Sequence, residues 1–515
     1  MRVKGRDTTG PIVKYSRPPG RLMCVNDMRR HLLKLRATQL AHRTADPMEM
    51  PLAPQLTDHR VKWDPALVRK YDTAGPRYTS YPTAPQFHEG FGPLEYERHL
   101  LERPPTIAPL SLYVHIPFCH NICYYCACNK VVTRDAEQAE RYLGALEREL
   151  ALLAPHFDRR RRITQLHWGG GTPTWLDNAG LTRLMHSLAV HFSLNDAPDR
   201  EYSIEIDPRS VDTDSIALLK GLGFNRVSMG IQDFDPAVQA SINRVQPFAM
   251  VESLVDSVRE HRFKSLGFDL IYGLPRQSAA SMKATLAQVL ALSPDRISCY
   301  SYAHLPDLFK SQRSIDRLDV PDAGQKMQIL HTLIDTLCEA GYLYVGMDHF
   351  VKPGDELARA LAKGTLQRNF QGYSTQLAPE LLGIGVSSIS GFDDLFCQNL
   401  KTLDAYYARL DSGRLPVQRG LELSADDRLR RDTIMQLICR MEVDMEAIGA
   451  RHGVAFASYF ARELETLAPM EQDGLVRIEG SRITVTPAGR LLVRNVCMVF
   501  DAYLDPDRQR FSRTV

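Results

Sequence analysis

The sequence predicts an α/β fold with a partial (β/α)6 barrel at its centre. From Ser111 onward, short apolar runs alternate with longer stretches in which apolar residues recur three and four positions apart. Such alternation is typical of parallel strands joined by helices. In a barrel of this kind the loops at the C-terminal ends of the strands bind the ligands, so residues at those ends are the first candidates for a functional site.

Seven apolar runs are candidate strands, and three stretches between them have helical periodicity. The candidate strands are SLYVHIP, ITQLHWGGG, EYSIEID, RVSMGIQ, FDLIYGL, RISCYSY and YLYVGMD. The candidate helices are AEQAERYLGALERELALLA, VESLVDSVREH and MKATLAQVLALS. Six or so such units are enough for a partial barrel, and no short internal repeat is evident.

The two ends of the chain differ from this central pattern. The first 60 residues include Arg2, Lys4 and Arg6 against a lone Asp7 in the first 21 positions, and we expect a flexible basic extension there. An organelle transit peptide or an upstream start codon would also explain such a segment. From about Leu421, DRLRRDTIMQLIC and the strand-turn-strand pattern of DGLVRIEGSRITVTP resemble a small, mainly helical, winged-helix-like domain. Its arginines are mixed with acids, so we expect a lid and not a DNA-binding module.

The composition is that of a large cytoplasmic enzyme. The chain has 515 residues, of which 44% are apolar, and a net charge of +2, which favours neither nucleic-acid nor membrane binding. No apolar run of 18 residues is present, so we expect no membrane span. Ten cysteines in this length are too dilute for a disulfide framework. The cysteines outside one cluster are expected to be inert.

That cluster lies in YVHIPFCHNICYYCACNK and contains Cys119, Cys123, Cys126 and Cys128. The first three have the spacing C-x-x-x-C-x-x-C, which gathers three thiolates around one inorganic centre. Three ligands on a four-iron cluster leave one iron open, which favours a cluster that binds a small molecule. Zinc is disfavoured because no second cysteine pair follows at the usual spacing. A cluster with Cys128 as fourth ligand is disfavoured because Cys126 is only two positions away.

Other polar and glycine residues follow the remaining candidate strands. HWGGGTPTW contains Gly169, Gly170, Gly171 and Thr172, and residues without side chains allow a ligand to contact the backbone. A triple glycine alone is more often a tight turn. Four further polar residues are placed to project at the mouth of the barrel, where a core has no need of them: Glu205, Gln232, Arg244 and Asp269.

Taken together, these motifs resemble those of radical S-adenosylmethionine (SAM) enzymes. HIPFC, the additional Cys128 and the following NK resemble the family of oxygen-independent coproporphyrinogen III oxidases, and the resemblance extends from about Asp64 to the terminal FSRTV. It implies that Cys119, Cys123 and Cys126 hold a [4Fe-4S] cluster, and that Cys128, Tyr113 and His115 are catalytic. The residues that it implies for binding SAM are Tyr113, Tyr125, Gly169, Gly170, Gly171, Thr172, Glu205, Gln232, Arg244, Asp269, Ile271 and Ala303. Among these, Glu205 would meet the amino group, Arg244 the carboxylate, and Gln232 and Asp269 the ribose hydroxyls.

The resemblance also implies a second SAM molecule, near Phe370, Gln371 and Ile389. The expected reaction uses a 5′-deoxyadenosyl radical to convert two propionates of coproporphyrinogen III to vinyl groups, which gives protoporphyrinogen IX in haem synthesis. An unidentified one-electron donor and a final electron acceptor would be needed, and we expect a monomer. Candidate partners for the substrate carboxylates are Arg77, Arg368 and Arg513. The alternatives are a haem chaperone of the same superfamily and a non-catalytic cluster protein.

On this basis we divide the chain into five segments. They are an extension at 1–60, a substrate-side segment at 61–110, a catalytic barrel at 111–350, a segment at 351–420 that completes the barrel and carries the second SAM site, and a C-terminal lid at 421–515.

Overall fold

The computed structural model describes residues 61–376, 378–504 and 513. The expectations for the basic extension at 1–60, and for the FSRTV segment apart from Arg513, lie outside the described residues. The strands are β1 (Leu110–Ile116), β2 (Phe118–Cys119), β3 (Val131–Val132), β4 (Arg162–Gly170), β5 (Ser193–Leu194), β6 (Glu201–Ile206), β7 (Arg226–Gln232), β8 (Ser265–Tyr272), β9 (Arg296–Ser301), β10 (Leu343–Gly346), β11 (His349–Val351), β12 (Gln367–Asn369), β13 (Gly372–Ser374), β14 (Glu380–Ile384), β15 (Ile389–Gly391), β16 (Leu395–Asn399), β17 (Val417–Glu422), β18 (Glu442–Asp444), β19 (Val476–Glu479) and β20 (Arg482–Val485).

The α-helices are α1 (Pro65–Tyr71), α2 (Pro93–Glu102), α3 (Glu137–Leu153), α4 (Asn178–His191), α5 (Thr213–Gly221), α6 (Pro236–Ser241), α7 (Phe248–Glu260), α8 (Ala279–Leu292), α9 (Ala323–Glu339), α10 (Glu356–Ala362), α11 (Leu403–Asp411), α12 (Ala425–Arg440), α13 (Met445–His452), α14 (Phe456–Tyr459), α15 (Ala461–Gln472) and α16 (Val493–Val499). Side-chain caps fix several of the helix starts. Asp177 accepts a hydrogen bond at the start of α4, for example, and Ser278 does so at the start of α8.

The central sheet confirms the predicted α/β class. Strands β1, β4, β6, β7, β8 and β9 are parallel neighbours in that order, and most are connected by helices that pack against the sheet. Among the described residues β9 does not pair with β1. Instead β14 extends the sheet in parallel beside β1, and β11 extends it in antiparallel fashion beside β9. The six predicted units therefore form a barrel that is open along one side.

The seventh candidate strand, YLYVGMD, does not form a parallel unit. Its residues form β10, which pairs with β11 as an antiparallel hairpin at the edge of the sheet. Met347 and Asp348 connect the two strands, and both have positive φ angles, of 46° and 73°. Two consecutive residues of this conformation make the tight turn that a two-residue hairpin requires. Neither residue is a glycine or an asparagine, so this turn could not be predicted from local sequence.

Alternation along the parallel strands separates an apolar from a polar face. On β1, Leu112, Val114 and Ile116 are fully buried in the main core with α3. Tyr113 and His115, between them, face the interior of the barrel with residues of β4. The helices are therefore held by the apolar face, and the opposite face is available for polar residues.

Beyond the barrel, residues from 425 onward form helices around the three-stranded sheet β18–β20–β19. Val443 and Ile483 of this sheet lie in a second apolar core that also includes Ile434 and Leu437 of α12. The predicted helix at DRLRRDTIMQLIC and the predicted strand-turn-strand are both present. None of the helices within the described residues is long and apolar enough to cross a membrane.

Candidate active site

The cysteine loop between β2 and β3 is held at several points by its backbone. Lys130 Nζ and Ser311 Oγ donate to the carbonyl of Cys126, at 2.9 and 3.1 Å, and Gln312 Nε2 donates to that of Tyr125 at 3.0 Å. Cys126 N–H itself donates to the carbonyl of Cys123 at 3.2 Å. These contacts fix the loop on the C-terminal side of the sheet, where the predicted site lies.

The sulfur atoms of this loop have donors around them. Arg209 Nη2 and Arg244 Nη1 lie 3.4 and 3.5 Å from Cys123 Sγ, and Thr172 Oγ1 lies 3.6 Å from Cys119 Sγ. Cationic donors stabilise thiolate, which is the form that binds iron. A hydrogen bond from Cys128 lowers the pKa of Cys126 to about 6, even though burial opposes this, and Lys130 adds to the effect.

Among the described residues no three His, Cys, Asp or Glu side chains converge on the position of a single metal ion. A four-iron cluster does not require such convergence, because each thiolate binds a different corner of the cube. Three soft sulfur donors with cations beside them therefore fit a [4Fe-4S] cluster. Cys119, Cys123 and Cys126 are the residues that would hold it.

The glycine segment at the end of β4 packs directly against this loop. A Cβ at Gly171 would lie 2.6 Å from the carbonyl oxygen of Pro117, and one at Gly170 would lie 2.7 Å from the ring of His115. Gly170 also has a φ of +120°, which other residues rarely adopt. Glycine is thus required for β4 to approach β1 closely, and Thr172 N–H then donates to the carbonyl of Phe118 at 2.8 Å.

Glu205, at the end of β6, faces the same glycines. Its carboxylate accepts hydrogen bonds from Gly170 N–H at 3.2 Å and from His167 Nε2 at 3.1 Å. Burial works to raise the pKa of Glu205, but these hydrogen bonds and the charge of His167 outweigh it and hold the pKa below its ordinary value. Glu205 is therefore ionised near neutral pH and is available to bind a cationic amino group.

Tyr113 and His115 complete this group. Tyr113 stacks on His167 at 5.8 Å, and its hydroxyl lies 3.0 Å from His115 Nδ1. His115 Nε2 lies 3.1 Å from the carbonyl of Asn129, which only accepts, so the ring carries its proton on Nε2 and accepts from Tyr113 on Nδ1. Burial lowers the pKa of His115, which keeps the ring neutral.

Asp269 lies near Glu205 in a polar cavity of about 160 Å³ inside the barrel. Ser228 Oγ donates to its carboxylate at 2.9 Å. Burial, followed by the negative charge of Glu205, raises the pKa of Asp269 to about 6. Other residues that line the cavity are His167, Arg296, Tyr300, His349 and Gln371.

We expected the guanidinium of Arg244 to be available for a ligand carboxylate, but two of its nitrogens are already bonded within the protein. Its Nη1 donates to Asp207 Oδ2 at 2.9 Å and its Nη2 to the carbonyl of Gly230. Arg209 also pairs with Asp207, and the two arginines overcome the effect of burial and lower the pKa of Asp207 to about 2. Of the guanidinium nitrogens of Arg244, only Nε is buried without a partner among the described residues. Sequence reasoning missed Asp207, although it lies two positions after Glu205.

The remaining predicted SAM residues lie around this centre. Ile271 belongs to a small apolar cluster that Tyr125 packs against, and the carbonyl of Ala303 accepts a hydrogen bond from Gln312 at 3.2 Å. Gln232 is buried at the end of β7 with a φ of +66°. A Cβ at Gly230 would lie 2.8 Å from its Nε2, so this glycine makes room for the amide.

The residues predicted for a second SAM molecule divide between two surroundings. Phe370 and Ile389 both pack against an apolar cluster that contains Phe396. Gln371 faces the interior cavity that Glu205 and Asp269 also line. Both amide atoms of Gln371 are buried without a partner among the described residues.

The three predicted substrate arginines also differ. Arg77 lies 5.6 Å from the ring centroid of Tyr300, and Arg368 lies 4.7 Å from that of Tyr373, so both are beside residues of the cavity. Arg513 is paired with Asp72 at 2.6 Å.

Known protein families match two parts of this chain. The radical SAM superfamily matches residues 113–289, and the HemN C-terminal domain matches residues 423–492. Oxygen-independent coproporphyrinogen III oxidase from Pseudomonas aeruginosa is 49% identical over 456 residues, which are 88% of this chain and 99% of the relative. The chain belongs to the oxygen-independent coproporphyrinogen III oxidase family.

Two further members of the family agree with this assignment. The Salmonella typhimurium oxidase is 48% identical over 462 residues, which cover 89% of this chain and 100% of the relative. The solved structure of the Escherichia coli coproporphyrinogen III oxidase, described as a radical SAM enzyme, matches with a TM-score of 0.82 and 48% identity. It covers 86% of this chain and 100% of its own. A [4Fe-4S] cluster and SAM are the cofactors that membership of this superfamily implies.

Proposed function

We propose that this chain converts coproporphyrinogen III to protoporphyrinogen IX without oxygen, by oxidative decarboxylation of two propionates to vinyl groups. The observation that carries the proposal is a continuous set of contacts at one end of the barrel. Cys119 contacts Thr172, the adjacent glycines contact His115 and Glu205, and Asp269 lines the same cavity as Glu205. This brings a cluster-binding loop beside groups suited to SAM.

When bound, the cluster and SAM supply a 5′-deoxyadenosyl radical that removes one hydrogen atom from the β-carbon of a propionate. For each propionate, carbon dioxide and one electron also leave, so each vinyl group requires one hydrogen acceptor and one electron acceptor. The protein's residues bind the cofactors, orient the substrate and exclude water.

Individual residues have distinct parts in this scheme. The ionised Glu205 would bind the amino group of SAM, and Gly169, Gly170 and Gly171 would leave their backbone open to it. Asp269 and Gln232 would accept and donate hydrogen bonds at the ribose, and Arg244 would contribute its unpartnered Nε to the carboxylate. Cys128, which is exposed beside the cluster ligands, and the Tyr113–His115 pair would hold a proton for the reaction.

We further propose that two SAM molecules bind. The buried and unpartnered amide of Gln371 supports this, because such groups are rarely left without a hydrogen bond in a native protein. Equilibrium dialysis of the reconstituted enzyme with labelled SAM is expected to give two molecules per chain, and about one in Gln371→Ala. One molecule in both proteins would contradict the second site.

We also propose that a one-electron donor and a final electron acceptor take part in the reaction, that the protein is a monomer, and that it is located in the cytoplasm. A cluster with an iron open to small molecules is sensitive to oxygen, which supports a location in a reducing compartment. Size-exclusion chromatography with light scattering tests the monomer, and a mass of twice 58.2 kDa would contradict it.

The decisive experiment is anaerobic turnover of coproporphyrinogen III by the reconstituted enzyme with SAM and a reductant. We expect two successive losses of carbon dioxide with a matching amount of 5′-deoxyadenosine. SAM cleavage or tight haem binding without decarboxylation would contradict the oxidase and favour a haem chaperone.

A further inference from the structure

Lys326 places a cation at the mouth of the barrel, in a helix that carries none of the sequence motifs. It lies near the start of α9, and its Nζ donates to the carbonyl of Tyr302 at 3.1 Å. The same Nζ lies 5.6 Å from the ring centroid of Tyr272. Tyr272 is the last residue of β8 and Tyr302 directly follows β9, so the ammonium lies at the C-terminal ends of these strands.

The position of this side chain is fixed by its surroundings. A Cβ at Gly273 would lie 3.1 to 3.3 Å from three carbons of the Lys326 stem. Gly273 has a φ of +81°, so a residue with a side chain there would be strained as well as crowded. The glycine after β8 thus makes room for the lysine stem.

Among the described residues, the ammonium of Lys326 has no ion-pair partner. The charged groups that act on it are Asp72, Arg77, Asp348 and Arg513. Asp72 is already paired with Arg513 at 2.6 Å, and Asp348 lies 3.7 Å from Arg77 Nη1. No carboxylate in the described part of the chain lies within 4.0 Å of Lys326 Nζ. Burial, above all, lowers the pKa of Lys326, as expected for a cation without a counter-ion.

The unpaired cation is close to the proposed reaction centre. Its neighbour Arg77 lies over the ring of Tyr300, which lines the same cavity as Glu205 and Asp269. On the other side, the loop that begins at Tyr302 is joined through Gln312 to the carbonyl of Tyr125 in the cysteine loop. A ligand that contacted Lys326 and Arg77 would therefore lie between the cysteine loop and the interior cavity.

We propose that Lys326, together with Arg77, binds a propionate carboxylate of the porphyrinogen. The inference rests on the proposed function and names the residue that holds one arm of its substrate. An ammonium and a guanidinium converging on one carboxylate give charge-assisted hydrogen bonds, which orient a flexible arm better than apolar contacts. Arg513 is held more tightly, by Asp72 at 2.6 Å against the 3.7 Å between Arg77 and Asp348, and has a structural part.

Binding of coproporphyrin III, the stable oxidised form of the substrate, tests this in the reconstituted enzyme with SAM. We expect Lys326→Met to raise its Kd about tenfold or more, as the loss of one charge-assisted hydrogen bond predicts, and Lys326→Arg to restore most of the affinity. Lys283→Met is the matched control, because Lys283 is exposed on α8. The tetramethyl ester of coproporphyrin III has no carboxylates and should bind wild type and Lys326→Met alike.

A second measurement uses the wild-type chain and so does not depend on folding of the variant. Carbodiimide-activated coproporphyrin III should form an amide with Lys326, detected by mass on the peptide that contains it. Porphyrin attached only to other lysines would overturn the proposal.

The outcomes separate this inference from the function on which it rests. Wild-type enzyme that neither binds coproporphyrin III nor decarboxylates its reduced form would contradict the proposed function. If wild type binds coproporphyrin III normally and the Kd of Lys326→Met stays within twofold of the wild-type value, only the role proposed for Lys326 would be overturned.

Discussion

The two ends of the barrel both carry charged side chains, but these charges have different partners. At the N-terminal end Arg296 pairs with Asp355 at 3.0 Å, and Arg161 pairs with Glu380 at 2.6 Å. At the C-terminal end Asp207 is also paired, with Arg209 and Arg244, but no Lys or Arg among the described residues contacts Glu205 or Asp269. Charges that neutralise one another stabilise the fold, whereas carboxylates without a cation are available for ligands, which agrees with the usual division between the two faces of such barrels.

The largest expected effect concerns the cysteine loop at the C-terminal end. Cys126→Ala should lose the cluster and with it more than a thousandfold of the decarboxylase activity, because two thiolates hold a four-iron cluster poorly. Iron content and anaerobic turnover measure this. Cys338→Ser is the control, since Cys338 is exposed on α9, away from the loop. Retained iron and turnover in Cys126→Ala would contradict the ligand assignment.

A large effect of another kind is expected at the N-terminal end. Arg296→Met leaves the buried Asp355 without its cation and should lower the free energy of unfolding by about 3 kcal/mol. Arg296 lines the same cavity as Glu205 but at the start of β9, so SAM affinity should fall less than in Glu205→Gln. Lys352→Met removes a partly exposed partner of Asp295 and should cost less than about 1 kcal/mol. Denaturant unfolding measures both variants, and a loss of SAM binding in Arg296→Met would remove the distinction between the two ends.

A smaller effect is expected from pH. Because burial and Glu205 raise the pKa of Asp269 to about 6, its acid form persists in the free protein at higher pH than in an unfolded chain. The positive sulfonium of SAM and the donors on its ribose favour the ionised form. SAM affinity should therefore rise about five- to tenfold between pH 5 and pH 7 and should vary less in Asp269→Asn. Calorimetric titration at several pH values measures this, and equal profiles for the two proteins would exclude Asp269 as the cause.

Features that depend on local sequence could be predicted, and those that depend on tertiary contacts could not. The cysteine spacing, the triple glycine and the polar residue that ends β6 each lie within a few positions of one strand end. The pairing of Arg244 with Asp207 joins residues 37 positions apart and depends on how the end of β6 and the loop after α6 meet. Lysines are common on the exposed faces of helices, so the sequence does not single out Lys326. Only its contacts with Tyr302 and Gly273 distinguish it from other surface lysines.

The contrast between the two ends is tested most directly with a pair of variants on a single strand, Glu205→Gln and Glu201→Gln. Glu201 lies at the other end of β6 and accepts hydrogen bonds from Ser374 and Thr375, at 2.6 and 2.9 Å. SAM Kd and thermal midpoint would be measured on each reconstituted protein. We expect Glu205→Gln to weaken SAM binding at least about tenfold with little change in Tm, and Glu201→Gln to lower Tm by roughly 3 °C with unchanged SAM binding. Equal effects of the two substitutions on SAM binding would contradict the account.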